Sequence, residues 1–319
     1  MTDINNSIDA LFKPGISDRY FEFANPSPIY IGETNFNLWN AWWLAEISRL
    51  VYREDKHNVF EENNNISTEE ILKKVGMEKI GEISNDESST YGLLIKAEAF
   101  NKALQIKTTS LVLAFRGTNG LDDWKINFRA YQRRFNNLGN VHSGFQQAFL
   151  SIKDELINLQ VIHEYPLFIT GHSLGAALAT LCTAYLSNIG INLDACYTYG
   201  SPRVGNNEFS ESLSDNNIYR VINHCDIVTT VPFDFAAIQY RHTGKSCFID
   251  ADMKMRLNMS IEDIEQYQKA QLTNIDKAFS TGLLLEKIKT GEVELYSFLT
   301  EHAPINYVAK IEQNLKTLT

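Results

Sequence analysis

The stretch "ITGHSLGAALATL" (residues 169–181) sets one serine, Ser173, between Gly171 and Gly175. A G-x-S-x-G run arises by chance in roughly one of every ten chains of this length, because both residue types are common. Its surroundings decide its meaning. Ahead of it, "YPLFIT" (165–170) is a short apolar run with aromatics that reads as a buried strand. Behind it, "LGAALATLCTAYL" (174–186) is dense in Ala and Leu, has no Pro and no Gly after Gly175, and reads as a helix. A turn this sharp forces the serine into a strained backbone conformation. Strand and helix then run so close that side chains two residues either side would clash, which accounts for the two glycines.

Strand, sharp turn and helix around a serine make the nucleophile elbow of α/β-hydrolase sheets. Ser173 is then expected at the carboxyl edge of a sheet, under the positive end of the following helix, with the Leu174 N–H facing a developing oxyanion. His172 is too near in sequence to fold back onto the serine and is expected to pack or hydrogen-bond. A serine hydroxyl needs a base, and the base an orienting acid. In this fold they follow in the order serine, acid, histidine.

"RVINHCDIVTTVP" (220–232) offers Asp226 just past an apolar strand, at the same edge as Ser173. Asp194 precedes its strand and belongs to the opposite end, while Asp234 and Asp250 suit the role less well. Beyond Asp226 only His242 and His302 remain. His242 enters a strand in "QYRHTGKSCFID" (239–250) and reads as structural. His302, in "LTEHAPINYV" (299–308), stands after the last strand and before a Pro-marked turn, as a loop base should. His142 and His224 break the order. "LVLAFRGTNGLDDW" (111–124) ends a strand at Phe115 and turns at Gly117, so that the Thr118 N–H and hydroxyl can complete an oxyanion hole.

With 319 residues, 44% of them hydrophobic, the chain suits one α/β domain. A net charge of −10 argues against nucleic-acid binding. The four cysteines lack C-x-x-C spacing and sit in apolar contexts, so buried thiols are expected in place of disulfides or a metal site. "MTDINNSIDALFKPG" (1–15) has neither a basic n-region nor an apolar h-region, and no apolar run nears the ~18 residues of a membrane span. The expectation is a soluble protein, cytoplasmic or exported without a cleaved leader, with no nucleic-acid partner and no transmembrane segment.

Residues 1–60 read as an irregular arm and a helix, "NLWNAWWLAEISRLVY" (37–52), whose Trp39, Trp42 and Trp43 are core anchors. A capped helix follows within 61–76, with Ser67 or Thr68 as the cap. The core, 85–250, alternates strands (90–97, 110–115, 194–200, 218–224) with helices, one of them spanning 141–159. That rhythm implies a mostly parallel central sheet with helices on both faces. Residues 251–319 are helical in pattern and read as a cap that carries His302.

"WKINFRAYQRRF" (124–135) spaces Trp124, Phe128, Tyr131 and Phe135 at i, i+4, i+7 and i+11, with Lys125, Arg129 and Arg133 drifting away from that stripe. Read as a helix, it is a lid with an aromatic face beside a basic one, suited to peripheral contact with a lipid interface. A stripe packed permanently on the sheet is the plainer alternative.

"FRGT…DW", "VHSGF", "GHSLGAALA", "YGSPRVGN", "INHCDIV" and a late "HAPINY" together resemble the class 3 (fungal-type) lipase family, over roughly 85–245 and around His302. The resemblance implies hydrolysis of lipid esters through an acyl-enzyme, with Ser173, Asp226 and His302 as the triad. It puts Thr118 and Leu174 at the oxyanion, packs "YGSPRVGN" beside the site as structure, leaves His242 outside catalysis and calls for no cofactor or metal. Two departures stand out. Secreted members carry signal peptides and disulfides, and the stretch from Cys247 to His302 is longer here than in compact members, which leaves the acyl pocket's shape open. A phospholipase A1 or an acyltransferase could use the same triad. A non-catalytic binding protein on the same fold is disfavoured, because a scaffold has no need of all three residues.

Overall fold

The computed structural model describes residues 2–54, 66–118, 131–232, 238–272 and 299–318. Among them a nine-stranded mixed sheet forms the centre. Its strands are β1 (Ile29–Ile31), β2 (Glu78–Asn85), β3 (Thr90–Asn101), β4 (Ile106–Phe115), β7 (Leu167–His172), β8 (Leu193–Tyr199), β9 (Ile218–Asn223), β10 (Lys245–Ile249) and β11 (Met255–Leu257). The order is β1-β3-β4-β7-β8-β9-β10-β11, with β2 pairing β3 beside β1. Strands β4, β7, β8, β9 and β10 run parallel, so their carboxyl ends and the turns after them share one edge. A separate antiparallel pair joins β5 (Gln132–Arg134) to β6 (Asn140–His142).

Strand alternation sends the two faces into two cores. On one face the helix Leu38–Leu50, capped by Asn37, packs Trp42, Leu44 and Ile47 beside Tyr307, Val308 and Ile311 of the last helix, Pro304–Lys316. On the other face the helix Leu174–Asn188 packs Ala177, Leu178 and Leu181 against Leu113, Leu167 and Ile169. Trp42 and Trp43 are buried and Trp39 partly so, in edge-on aromatic contact. All four cysteines are free, buried thiols, and burial pushes Cys196 up to about 12.

The first helix also carries a buried ion pair, Arg49–Glu46, at 2.7 Å. The Arg49 guanidinium lies 3.8 Å from the centre of the Tyr20 ring, and Glu46 accepts the Phe21 N–H at 2.9 Å, so the amino-terminal arm is fastened to this helix. The arm is also tied to the last helix. Glu312 accepts from the Thr2 N–H (2.8 Å), the Thr2 hydroxyl (3.0 Å) and the Trp42 indole (3.1 Å).

Several elements differ from the sequence reading. The arm is not wholly irregular, since it holds a helical turn at Ile8–Phe12 and strand β1. The helix expected over 141–159 is two, Ser143–Leu150 and Lys153–Ile157, preceded by β6. The region expected to be all helical from 251 begins with β11, antiparallel to β10, before the helix Ile261–Leu272; residues 273–298 lie outside the described ones. In the expected lid, Trp124, Phe128 and Arg129 also lie outside them. Arg133 sits in β5 and not in a helix, Tyr131 is 69% exposed, and Phe135 is buried against Phe149 and Phe209. The helical stripe therefore fails from Tyr131 onward, because the backbone there pairs with β6 and Phe135 satisfies the core.

Candidate active site

Strand β7 ends at His172 and the next helix begins at Leu174, so Ser173 alone makes the turn, at φ +60° and ψ −126°. Positive φ for a serine is a costly conformation that surrounding packing has to hold. The Ser173 N–H donates to the Tyr199 carbonyl of β8 at 3.0 Å, and its own carbonyl accepts the Ala176 N–H at 3.0 Å. The tightness is measurable at the flanking glycines. A Cβ on Gly171 would overlap the Gly175 carbonyl, and one on Gly175 would overlap the Phe115 carbonyl of β4. Ser173 thereby stands at the carboxyl edge, at the positive end of a 15-residue helix.

Strand β9 delivers Asp226 to that same edge. Its Oδ1 accepts the Val228 N–H at 2.9 Å, and its Oδ2 accepts from His302 Nδ1 at 2.7 Å and from the Tyr307 hydroxyl at 2.5 Å. Asp226 and His302 are both buried. With Asp226 accepting from every side, Nδ1 of His302 carries the proton, and Nε2 is left as the basic nitrogen. The hydroxyl of Tyr307 is held neutral, because burial and then the adjacent Asp226 push its pKa well above the ordinary tyrosine value.

The turn carrying His302 is pinned to the end of β9. Asn223 Nδ2 donates to the Glu301 carbonyl (2.7 Å) and carboxylate (2.7 Å), and Lys310 Nζ donates to both Asn223 Oδ1 (2.8 Å) and Glu301 (2.5 Å). Gly200, in "YGSPRVGN", closes the site from β8. A Cβ there would fall 2.8 Å from both Asp226 Oδ2 and His302 Nδ1, and its φ of +59° excludes most side chains in any case.

Thr118 and Leu174 are half-buried at adjoining turns. Gly117, just before Thr118, packs against the carbonyl of His172, just before Ser173: a Cβ on Gly117 would fall 2.7 Å from that oxygen. The other expected acids and histidines lie apart. Asp194 is the second residue of β8, at the opposite edge, and accepts the Gly32 N–H at 2.8 Å, and Asp250 pairs with Arg256. Asp234 lies outside the described residues. His142 accepts the Gly144 N–H as a helix cap, and His242 is a buried side chain beside Arg220 and Arg203. Tyr307, Asn223, Glu301 and Lys310 escaped the sequence reading as site neighbours, and Gly200 entered it only within a segment expected to pack beside the site. Three of them, Tyr307, Gly200 and Asn223, fall within "HAPINY", "YGSPRVGN" and "INHCDIV", but without a role, since hydrogen bonds over long separations leave no local pattern. Among the described residues no three His, Cys, Asp or Glu gather as metal ligands, and no helix is long and apolar enough to cross a membrane.

A parallel-centred sheet with a strained serine at the strand-to-helix turn is the arrangement of the α/β-hydrolase fold. Residues 112–236 match the sequence model of the family described as Lipase (class 3). Over this core the chain is similar to that family. It is 34% identical over 149 residues to the secreted mono- and diacylglycerol lipase 1 of Fusarium solani, covering 44% of each protein. Over 114 residues it is 34% identical to phospholipase A1-II 1 of Oryza sativa, covering 33% of this chain and 28% of that one. The match therefore spans less than half the length of these relatives. The crystal structure of the lipase from Rhizopus microsporus var. chinensis shares the fold, with a TM-score of 0.55 at 23% identity over 79% of this chain and 92% of that one.

Proposed function

We propose that the protein is a lipid-ester hydrolase, acting on triacylglycerol or partial acylglycerols through a covalent acyl-serine. The observation that carries this reading is the buried Asp226–His302 pair, 2.7 Å apart, at the sheet edge where Ser173 is held at positive φ. His302 Nε2 takes the Ser173 proton as Oγ bonds to the ester carbonyl carbon. The Thr118 and Leu174 amides hold the oxyanion, a role whose loss typically costs ~10²–10³ in rate per donor. His302 then returns the proton to the leaving alkoxide as the C–O bond breaks. It next draws a proton from the water that attacks the acyl-serine, and returns it to Ser173 as the acid leaves. Asp226 fixes the imidazole tautomer and stabilises its charged form. Tyr307, donating to the same oxygen, fixes the carboxylate.

An organophosphonate ester should place a single label on the peptide containing residues 171–175, and Ser173→Ala should abolish both labelling and ester hydrolysis. Label elsewhere, or hydrolysis surviving in Ser173→Ala, sinks this assignment. A phospholipase A1 activity is the second reading, favoured by the match to the rice relative. The products released from a mixed lipid extract separate the two, and acyl esters formed with an added alcohol would mark a transferase. Contact with a lipid interface through the region of Tyr131, Arg129 and Arg133 belongs to the same proposal. It is supported by the exposure of Tyr131 and Arg133.

A further inference from the structure

His172 precedes the nucleophile, yet β7 alternation turns its ring to the face of the Leu38–Leu50 helix. Thr170, two residues earlier, points the same way and meets Ser48 of that helix at 2.8 Å. There the buried His172 ring makes two contacts: Nδ1 with the Tyr52 hydroxyl at 2.9 Å, and Nε2 with the carbonyl oxygen of His302 at 2.7 Å. A carbonyl only accepts, so Nε2 carries the proton, Nδ1 is bare, and Tyr52 O–H donates to it. Tyr52 Oη in turn packs against Gly117, close enough that a Cβ there would overlap it. The result is one continuous path: Tyr52 Oη packed against Gly117, Tyr52 O–H donating to His172 Nδ1, and His172 Nε2–H donating to the His302 carbonyl.

We propose that Tyr52 and His172 are positioning residues that couple the oxyanion turn to the turn holding the catalytic base, across the strand that carries the nucleophile. The proposal rests on the hydrolase reading above. Each end of the path lies next to a reacting group without touching substrate: Gly117 adjoins Thr118, and the His302 carbonyl belongs to the base itself. The His172 and His302 rings also lie 4.4 Å apart, centre to centre. A second positive ring there would oppose the imidazolium that forms on His302 during turnover. Burial, and then His302 itself, hold His172 well below the usual histidine range, so it stays neutral. Geometry explains why a histidine suits this place: it accepts at one ring nitrogen and donates at the other, in opposite directions, without carrying charge.

Tyr52→Phe keeps the ring and removes the hydroxyl. On a soluble short-chain nitrophenyl ester it should lower kcat by ~10-fold or more with KM changed less than twofold, since small displacements of catalytic groups cost rate before binding. His172→Gln, which can still donate from the Nε2 position, should retain more kcat than His172→Leu. Tyr52→Phe combined with His172→Gln should lose less than the product of the single losses, as members of one network do. Independently of activity, nitrogen NMR of the parent should find His172 in the Nε2–H tautomer. A Tyr52→Phe kcat within twofold of the parent, a rise in KM alone, or the opposite tautomer overturns the proposal. If His172→Leu does not fold, Tyr52→Phe and the tautomer decide it. A parent chain that shows the tautomer yet neither hydrolyses ester nor takes the phosphonate label overturns the hydrolase reading, and this role with it.

Discussion

Single residues at the site are set by clearance as much as by chemistry. Gly200 has no reactive group, yet it stands where a Cβ would crowd both Asp226 and His302. Gly200→Ala should lower kcat by ~100-fold, because its methyl would push the two apart. The strained φ should add ~1–2 kcal/mol of destabilisation. Ester turnover and urea unfolding, measured on the same preparation, read the two effects separately. Asp194 gives the opposite kind of prediction, in stability alone. Burial, opposed by the Gly32 N–H, raises its carboxyl to about 6 from an ordinary 3.8. The folded protein therefore binds this proton more tightly than the unfolded chain. Stability contributed here falls as pH rises from about 4 to about 6 and stays lower above. Asp194→Asn should accordingly be more stable than the parent by up to about 2 kcal/mol at pH 7 to 8, with the gain gone below pH 4. An equal gain at both ends of the range would assign the effect to packing. At this scale the chain order of Ser173, Asp226 and His302 was legible, because each stands after a readable strand or before a readable turn. Tyr307 and the Tyr52–His172 contact were not legible, since their partners lie 81 and 120 residues away.

At the scale of elements, the sequence spoke clearly where an element buries a continuous face. The Leu38–Leu50 helix and strands β4, β7, β8 and β9 carry such faces. Strand β2 went unread because Ile83 is its one buried residue; apart from Ile80 and Gly81 the rest is polar and partly or fully exposed, and pairing with β3 makes it a strand. The three-residue strands β1 and β11 are too short for any periodicity. The same helix that was easiest to read hides a charge pair that pattern alone cannot reveal, since Glu46 and Arg49 look like a solvated i, i+3 pair. Buried as they are, Arg49→Met should strand Glu46 without its partner and cost ~3–5 kcal/mol in urea unfolding. The double replacement Glu46→Gln with Arg49→Met should recover much of that loss. A single variant as stable as the parent would mean the pair is hydrated in solution.

The whole molecule combines a net charge of −10 with an exposed basic segment at Arg133 and Arg134, beside the exposed Tyr131. A charge distribution of that kind orients a protein at an anionic surface at low salt and loses its hold as screening shortens its range. Under the proposed lipid-interface contact, Arg129→Glu with Arg133→Glu should weaken binding to anionic phosphatidylserine vesicles several-fold and leave soluble-ester hydrolysis intact. Equal losses on both would instead report damage to the fold near β5. Of the stripe read in the sequence, Phe135 belongs to the core and Arg133 to β5, while Trp124, Phe128 and Arg129 lie outside the described residues.

The tie between Thr2 and Glu312 spans 310 residues, and it fastens the same helix that follows the base. On the ribosome, the serine turn and its acid leave the exit tunnel well before His302, which comes 130 residues after His172. At ordinary elongation rates that interval is on the order of ten seconds. Under the proposed mechanism the nascent chain carries Ser173 without His302 throughout that interval and is expected to be inert. On that reading hydrolysis waits until the turn holding His302 has packed against the end of β9.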